Sequence, residues 1–102
     1  MKKYTVTILG AGNMGTALAK IIGDNGHSVK IWNYEGDQEP LEQIASDHEN
    51  KKFLSGIKLS DRVVAEKDLA AAVQGARVIF FVVPSGAMES VIKSVAQFLP
   101  CG

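Results

Sequence analysis

The chain has 102 residues, of which 46% are hydrophobic and 22% charged, and its eleven basic residues balance its eleven acidic ones. This length and composition indicate one globular domain, and the balanced charge argues against a nucleic-acid or anionic-membrane partner. The single cysteine, Cys101, excludes a disulfide framework, and with His27 and His48 it gives too few and too badly spaced ligands for a zinc site, so no metal is expected.

The first third of the chain predicts a βαβ unit. Tyr4–Leu9 is rich in β-branched residues and stops at a glycine, as a buried strand does. A helix is predicted from Met14 to about Asn25, ended by Asn25-Gly26, and Val29–Trp32 is predicted as a second strand with Trp32 in the core. Five side chains of the helix follow helical spacing: Met14, Leu18, Ile21, Ile22 and Asn25.

The rest of the chain continues this alternation. The polar stretch from residue 33 to 60 contains a predicted helix from Pro40 to about His48. A short strand, Val63–Ala65, comes before a helix from Leu69 to Gln74 that Asp68 caps. Val78–Val83 is an unbroken apolar run, typical of a central parallel strand covered on both faces. The last predicted helix, Ala87–Phe98, has five side chains expected to point inward: Met88, Val91, Ile92, Val95 and Phe98.

This alternation predicts an α/β fold, a Rossmann-type doubly wound parallel sheet. A complete dinucleotide-binding domain usually has six strands, whereas this chain has room for about four. We therefore expect residues 1–102 to be one dinucleotide-binding domain that is truncated and belongs to a longer protein.

The turn between the first strand and the first helix is the predicted cofactor site, Gly10-Ala11-Gly12-Asn13-Met14-Gly15. The pattern G-x-G-x-x-G is weak alone, but here it follows a strand and opens a helix. Gly10 permits the tight turn, Gly12 lets pyrophosphate approach the backbone, and Gly15 lets the helix lie close to the strand. Backbone N–H groups at the helix N-terminus would hold the pyrophosphate.

The end of the second strand is predicted to bind the adenosine half. Glu35 lies about 20 residues after Gly15, where an acidic side chain accepts hydrogen bonds from a ribose hydroxyl. Its charge would repel the extra phosphate of NADP, so NAD is the expected cofactor. Tyr34 is a candidate to pack against adenine. Both residues are also compatible with a solvated loop that binds nothing.

A second loop, Val83-Pro84-Ser85, follows an apolar strand on the same carboxyl edge of the sheet. Ligands bind along that edge, so the loop is predicted to wall the site through its shape and backbone, although it is also compatible with a simple strand-to-helix connection. No catalytic residue is predicted. His27 is expected to be structural, and His48 to belong to a polar cluster at a helix end, since H-E-x-x-H is not formed.

Four segments in order resemble NAD-dependent glycerol-3-phosphate dehydrogenases. Gly15–Ala19 is similar to the family's G-T-A-L-A, and Gly26–Trp32 to G-H-x-V-x-x-W. His48–Leu59, the most specific segment, resembles H-x-N-x-x-Y-L-P-G-x-x-L, and Phe80–Ser85 carries V-P-S. Met14 departs from the family's tryptophan and gives G-N-M-G, which is typical of pyrroline-carboxylate reductases and β-hydroxyacid dehydrogenases, the nearest alternatives.

The resemblance implies that the glycine turn, Tyr34 and Pro84 line an NAD site. It also implies a two-domain enzyme of glycerophospholipid metabolism that interconverts glycerol 3-phosphate and dihydroxyacetone phosphate. A cytoplasmic location is expected from the single cysteine, which suits a reducing compartment. The family's two catalytic lysines would both fall after Gly102, and Lys93 does not match them. This chain alone is therefore expected to be inactive, and a nucleotide-binding module without catalysis is the alternative. Homo-oligomer formation through an exposed sheet edge is left open.

Overall fold

The computed structural model describes residues 3–34, 38–83 and 85–97. Within these ranges, four strands alternate with four helices. In chain order they are β1 Thr5–Leu9, α1 Asn13–Asp24, β2 Ser28–Trp32, α2 Glu39–Asp47, β3 Val63–Ala65, α3 Leu69–Val73, β4 Val78–Phe81 and α4 Ser85–Ala96. Every predicted element is present, with bounds that differ from the predicted ones by a few residues at most.

The four strands form one parallel sheet in the order β3-β2-β1-β4. The chain runs outward from β1 through β2 to β3 and then returns to the other side of β1, which makes this the doubly wound arrangement that the alternation predicts. The strand order reverses between β1 and β4. The carboxyl ends of these two strands therefore border the crevice in which ligands bind in such sheets.

Helices cover both faces of the sheet. On one face, α1 and α2 pack on apolar side chains of β1, β2 and β3, with Ile8, Ile31 and Leu41 fully buried. On the other face, α3 and α4 pack on Leu9 and Trp32. The prediction that Trp32 lies in the core is confirmed, since it is 7% exposed.

The buried face of α1 differs from the predicted apolar stripe. Met14 and Ile21 are 68% and 59% exposed. The residues that are buried instead are small: Gly15, Thr16, Ala19 and Gly23. Leu18 and Ile22 are partly buried against the core, as the predicted stripe requires. Because small side chains let the helix backbone approach the sheet closely, Met14 and Ile21 are left exposed.

Strand β4 is also placed differently from its prediction. It ends at Phe81 and, within the described residues, lies at the edge of the sheet rather than in its centre. Val78 and Phe80 are exposed, while Ile79 and Phe81 pack toward α3 and α4. An apolar run of this kind is typical of a strand with cover on both faces, and only one face of β4 is covered in the described part of the chain.

The last helix begins earlier than predicted, at Ser85, and buries Val91 and Val95 while Ile92 stays 47% exposed. Phe98 lies outside the described residues. Asp68 is the N-cap residue of α3 as predicted, but its side chain makes no capping hydrogen bond there.

Candidate functional site

The glycine turn joins β1 to α1 in a conformation that requires two of its glycines. Gly10 has a φ of +130°, and a Cβ on it would overlap the Val82 carbonyl group. A Cβ on Gly15 would overlap the Gly10 carbonyl oxygen. The first turn of α1 therefore sits directly against the turn, which brings the N-terminal end of the helix to the carboxyl edge of β1.

Gly12 is different from the other two glycines. It is the N-cap residue of α1 with φ −83°, an ordinary value, and a Cβ on it would meet no heavy atom within 4 Å. Nothing in the protein's own packing requires glycine here. The open space beside Gly12 suits a ligand that approaches the backbone closely, which is the role predicted for this residue.

A pocket of about 510 Å³ opens over this turn at the carboxyl ends of β1, β2 and β4. Seven of the predicted cofactor-site residues line it: Gly10, Gly12, Asn13, Met14, Gly15, Tyr34 and Val83. Four further residues line it within the described part of the chain: Asn33, Phe53, Phe81 and Val82. The exposed positions of Met14 and Tyr34 follow from their place at this rim, where both side chains border the pocket.

The remaining predicted site residues are placed elsewhere or not described. Ala11 is fully buried behind the turn, and its N–H and C=O groups are both hydrogen-bonded to protein side chains. Glu35 and Pro84 lie outside the described residues. Ser85 is the first residue of α4, and the structure describes only its backbone.

The electrostatics of the pocket come from the backbone. None of the described residues that line it carries an ionisable side chain other than the Tyr34 phenol. Helix α1 has twelve residues and no acidic residue in its first turn, so the positive end of its dipole is not neutralised locally. A pyrophosphate is the type of ligand that such a helix N-terminus binds, because the free N–H groups of the first turn donate to its oxygens.

The loop after α2 supplies residues that the local sequence pattern did not reveal. Its ends meet through a bridge between Glu49 and Lys58 and a backbone hydrogen bond from Leu59 N–H to His48 O at 2.7 Å. Asn50 is fully buried, and its Nδ2 donates to Ala11 O and to Thr16 Oγ1, both at 2.8 Å. This loop therefore packs against the glycine turn and places Phe53 in the pocket wall.

Charged residues at the base of this loop are engaged in local pairs. The Gly56 N–H, at 2.9 Å, and Lys58 lower the pKa of Glu49. A hydrogen bond from Lys51 at 2.8 Å lowers the pKa of Asp47, and the same contact raises the pKa of Lys51. His48 caps α2 in the left-handed conformation, with φ 55°. These contacts match the prediction of a polar cluster at a helix end.

The other candidates for chemistry have structural surroundings. His27 Nδ1 accepts a hydrogen bond from Tyr4 N–H at 3.0 Å, and its ring stacks on that tyrosine, as expected of a structural histidine. Lys93 pairs with Glu89 on the surface of α4. Among the described residues, no group of three or more His, Cys, Asp or Glu side chains could hold a metal ion. In the same residues, no helix is long and apolar enough to cross a membrane.

Comparison with known proteins links this arrangement to one family. Residues 5–101 match the family model described as the N-terminus of NAD-dependent glycerol-3-phosphate dehydrogenase. The glycerol-3-phosphate dehydrogenase (NAD(P)+) of Bacillus velezensis is 41% identical over 100 residues, which are 98% of this chain and 28% of that protein. The chain thus spans less than a third of the length of this relative.

Solved structures give the same result. The glycerol-3-phosphate dehydrogenase of Coxiella burnetii superposes with a TM-score of 0.90 at 31% identity, over 97% of this chain and 30% of that one. The enzyme of Plasmodium falciparum has a TM-score of 0.84 at 30% identity, again over 97% of this chain and 30% of its own.

Proposed function

Because the chain belongs to the NAD-dependent glycerol-3-phosphate dehydrogenase family, as its N-terminal NAD-binding part, we propose that it holds NAD in the pocket above the glycine turn. The observation that carries this proposal is Gly12, which the protein's own packing does not require to be glycine and which faces open space at the N-terminus of α1. The backbone there would bind the pyrophosphate, and Tyr34 and Phe53 would border the bound dinucleotide.

NAD rather than NADP is the proposed physiological cofactor. The names of the relatives allow either dinucleotide. In the sequence Glu35 directly follows Tyr34, which lines the pocket, and the Glu35 carboxylate is proposed to accept hydrogen bonds from the ribose and to repel a 2′-phosphate. Val83, Pro84 and Ser85 are proposed to wall the site on the β4 side.

The proposed reaction of the parent protein is the interconversion of glycerol 3-phosphate and dihydroxyacetone phosphate. Bound NAD would supply the hydride acceptor, and the residues of this chain would orient it and exclude water. We place residues 1–102 as the cofactor-binding domain of a longer, cytoplasmic two-domain enzyme that serves glycerophospholipid metabolism. The phosphorylated substrate would bind partly to segments of the parent protein outside residues 1–102.

A second candidate is a nucleotide-binding module without catalysis. It is favoured by one observation: the described part of the pocket lining offers no lysine, histidine or carboxylate to transfer a proton. The two candidates differ in what they predict for the gene product that contains this chain. The first predicts oxidation of glycerol 3-phosphate with NAD, and the second predicts NAD binding without turnover.

Titration calorimetry of the chain with NAD and with NADP tests the shared premise. We expect heat of binding with NAD and a weaker response with NADP. No heat with either dinucleotide would contradict the proposed site, and tighter binding of NADP would contradict the role given to Glu35. An assay of NADH formation from glycerol 3-phosphate by the parent gene product then separates the enzyme from the binding module.

A further inference from the structure

Two buried asparagine side chains hold Ala11 at both of its peptide groups. Asn33 Oδ1 accepts a hydrogen bond from Ala11 N–H at 3.1 Å, and Asn50 Nδ2 donates one to Ala11 O at 2.8 Å. Ala11 and Asn50 are fully buried and Asn33 is 5% exposed. The asparagines follow β2 and α2, which are remote from the turn in sequence. These contacts are therefore tertiary and not a product of local turn geometry.

The side chain of Asn50 uses its whole donor capacity on the glycine turn and the helix behind it. One Nδ2 proton goes to Ala11 O and the other to Thr16 Oγ1, both at 2.8 Å. Its Oδ1 accepts a hydrogen bond from Phe53 N–H at 3.3 Å. A single amide thus connects the turn, the first turn of α1 and a residue of the pocket wall. Only an amide has the donors and acceptor for all three contacts.

This connection sets the direction of the next peptide N–H. In a trans peptide the C=O of one residue and the N–H of the following residue point in opposite directions, and none of the described peptide bonds is cis. Because Ala11 C=O is held toward Asn50 in the interior, the N–H of Gly12 points away from Asn50. Gly12 itself lines the pocket.

We infer that Asn50 is a positioning residue for the dinucleotide, which keeps the Gly12 N–H oriented for the pyrophosphate before the ligand arrives. Asn33 fixes the preceding peptide in the same way. This inference rests on the proposed function, since it concerns how the same site is preorganised. Donors that are already oriented bind an anion more tightly, because no ordering of the loop has to accompany binding.

The test is the affinity of the chain for NAD, measured by calorimetry in two substituted forms. Asn50→Ala removes both donors without adding charge, and we expect Kd to rise at least about tenfold at every pH. Asn50→Asp places a carboxylate against the Ala11 carbonyl, and we expect a similar loss at pH 8. As pH falls, the protonated acid becomes a donor, so affinity partly returns. Burial would raise the pKa of this introduced carboxyl group and bring the recovery toward neutral pH.

Val63→Ala is the matched control for lost stability. Val63 is 1% exposed in β3 and is not among the residues that line the pocket. We expect this variant to unfold at a lower temperature and to keep its NAD affinity while folded. Circular dichroism at the binding temperature establishes that each variant is folded. If Asn50→Ala does not fold, Asn50→Ser replaces it with the same expectation at pH 8.

Three results would overturn the inference. Asn50→Ala or its serine replacement could bind NAD as tightly as the unsubstituted chain, which would mean that any loss in Asn50→Asp reflects charge alone. The Asn50 variants could also lose no more affinity than Val63→Ala. In both cases the proposed function would stand. No binding by the unsubstituted chain would instead contradict the proposed function, and the inference would fall with it.

Discussion

The carbonyl oxygen of Gly10 occupies the space that a Cβ atom on Gly15 would need. The turn and the first turn of α1 therefore pack against each other through backbone atoms, which cannot move aside as a flexible side chain can. Two glycines of the motif are explained by this contact and by the positive φ of Gly10, before any ligand is considered. The third glycine, Gly12, is not required by the packing, and we explain it by the close approach of the ligand to the backbone.

We predict that Gly10→Ala and Gly15→Ala both destabilise the fold. At Gly10 the positive φ alone costs on the order of 1–3 kcal/mol in a residue with a Cβ, and overlap with the Val82 carbonyl adds to it. At Gly15 the overlap is with the Gly10 carbonyl. Urea denaturation followed by circular dichroism measures the loss. A variant of either glycine as stable as the unsubstituted chain would contradict the described turn.

Gly12→Ala should instead weaken NAD binding and have little effect on stability. Its φ of −83° is ordinary and a Cβ would meet no neighbour, so the denaturation midpoint is expected to fall only slightly, by the roughly 1 kcal/mol or less by which a helix N-cap prefers glycine to alanine. The added methyl group would keep the pyrophosphate from the backbone, and the loss of one charge-assisted hydrogen bond would weaken NAD binding on the order of tenfold or more. Calorimetry with NAD provides the measurement. Unchanged affinity in a folded Gly12→Ala chain would remove the main support for the site.

Replacing Glu35 by serine should change the choice of cofactor. Without the carboxylate, the 2′-phosphate of NADP is no longer repelled, so the ratio of NADP to NAD affinity is expected to rise on the order of tenfold, most clearly at low ionic strength. Asp24→Ser is the control, since Asp24 ends α1 at the opposite end from the glycine turn. An equal change of this affinity ratio in both variants would point to the net charge of the chain rather than to the position of Glu35. No change of the ratio in either variant would contradict the role of Glu35.

The fold was accessible from the sequence because its signals are local. The apolar runs of β1 and β4, the glycine motif and the helical stops predicted each element within a few residues. Which side chains of each helix point toward the sheet was harder to predict. The spacing predicts an inward stripe that includes Met14 and Ile21, but both side chains are exposed because α1 packs closely on the sheet through small residues such as Gly15 and Ala19.

The site was predictable where it depends on the backbone and not where it depends on tertiary contacts. The glycine turn and Tyr34 follow strand ends, so their meeting at one sheet edge follows from topology. Asn33 follows the same strand end, but its position alone does not distinguish a residue that supports the turn from one in a solvated loop. Asn50 and Phe53 reach the turn from a loop without regular structure. No periodicity predicts such a contact, and only the resemblance of His48–Leu59 to the family marked this segment as informative.

The loop that carries Asn50 should weaken in acid because of Glu49. Hydrogen bonding from Gly56 N–H, followed by the contact with Lys58, lowers the pKa of Glu49 in the folded chain. A lowered folded pKa means that the unfolded chain binds the proton more readily. The contribution of the Glu49 carboxylate to the free energy of unfolding is therefore complete above the ordinary glutamate pKa of about 4.3, and it is lost as pH falls through the lowered pKa of the folded chain. We expect Glu49→Gln to flatten the fall in unfolding temperature on the acid side of this window.

A comparison with Lys58→Met separates the two contacts. The Gly56 N–H is the largest single cause of the lowered pKa and is kept when the lysine is removed, so Lys58→Met should retain part of the acid dependence, whereas Glu49→Gln removes the contribution of this group entirely. Melting curves between about pH 3 and 7 for the three chains measure the difference, with the melting temperature at neutral pH as the common reference. Lys58→Met curves that coincide with those of Glu49→Gln would show that the ion pair, and not the backbone hydrogen bond, holds the carboxylate. Because the same loop places Asn50 beneath the turn, NAD affinity should fall over the same pH range as the loop loosens.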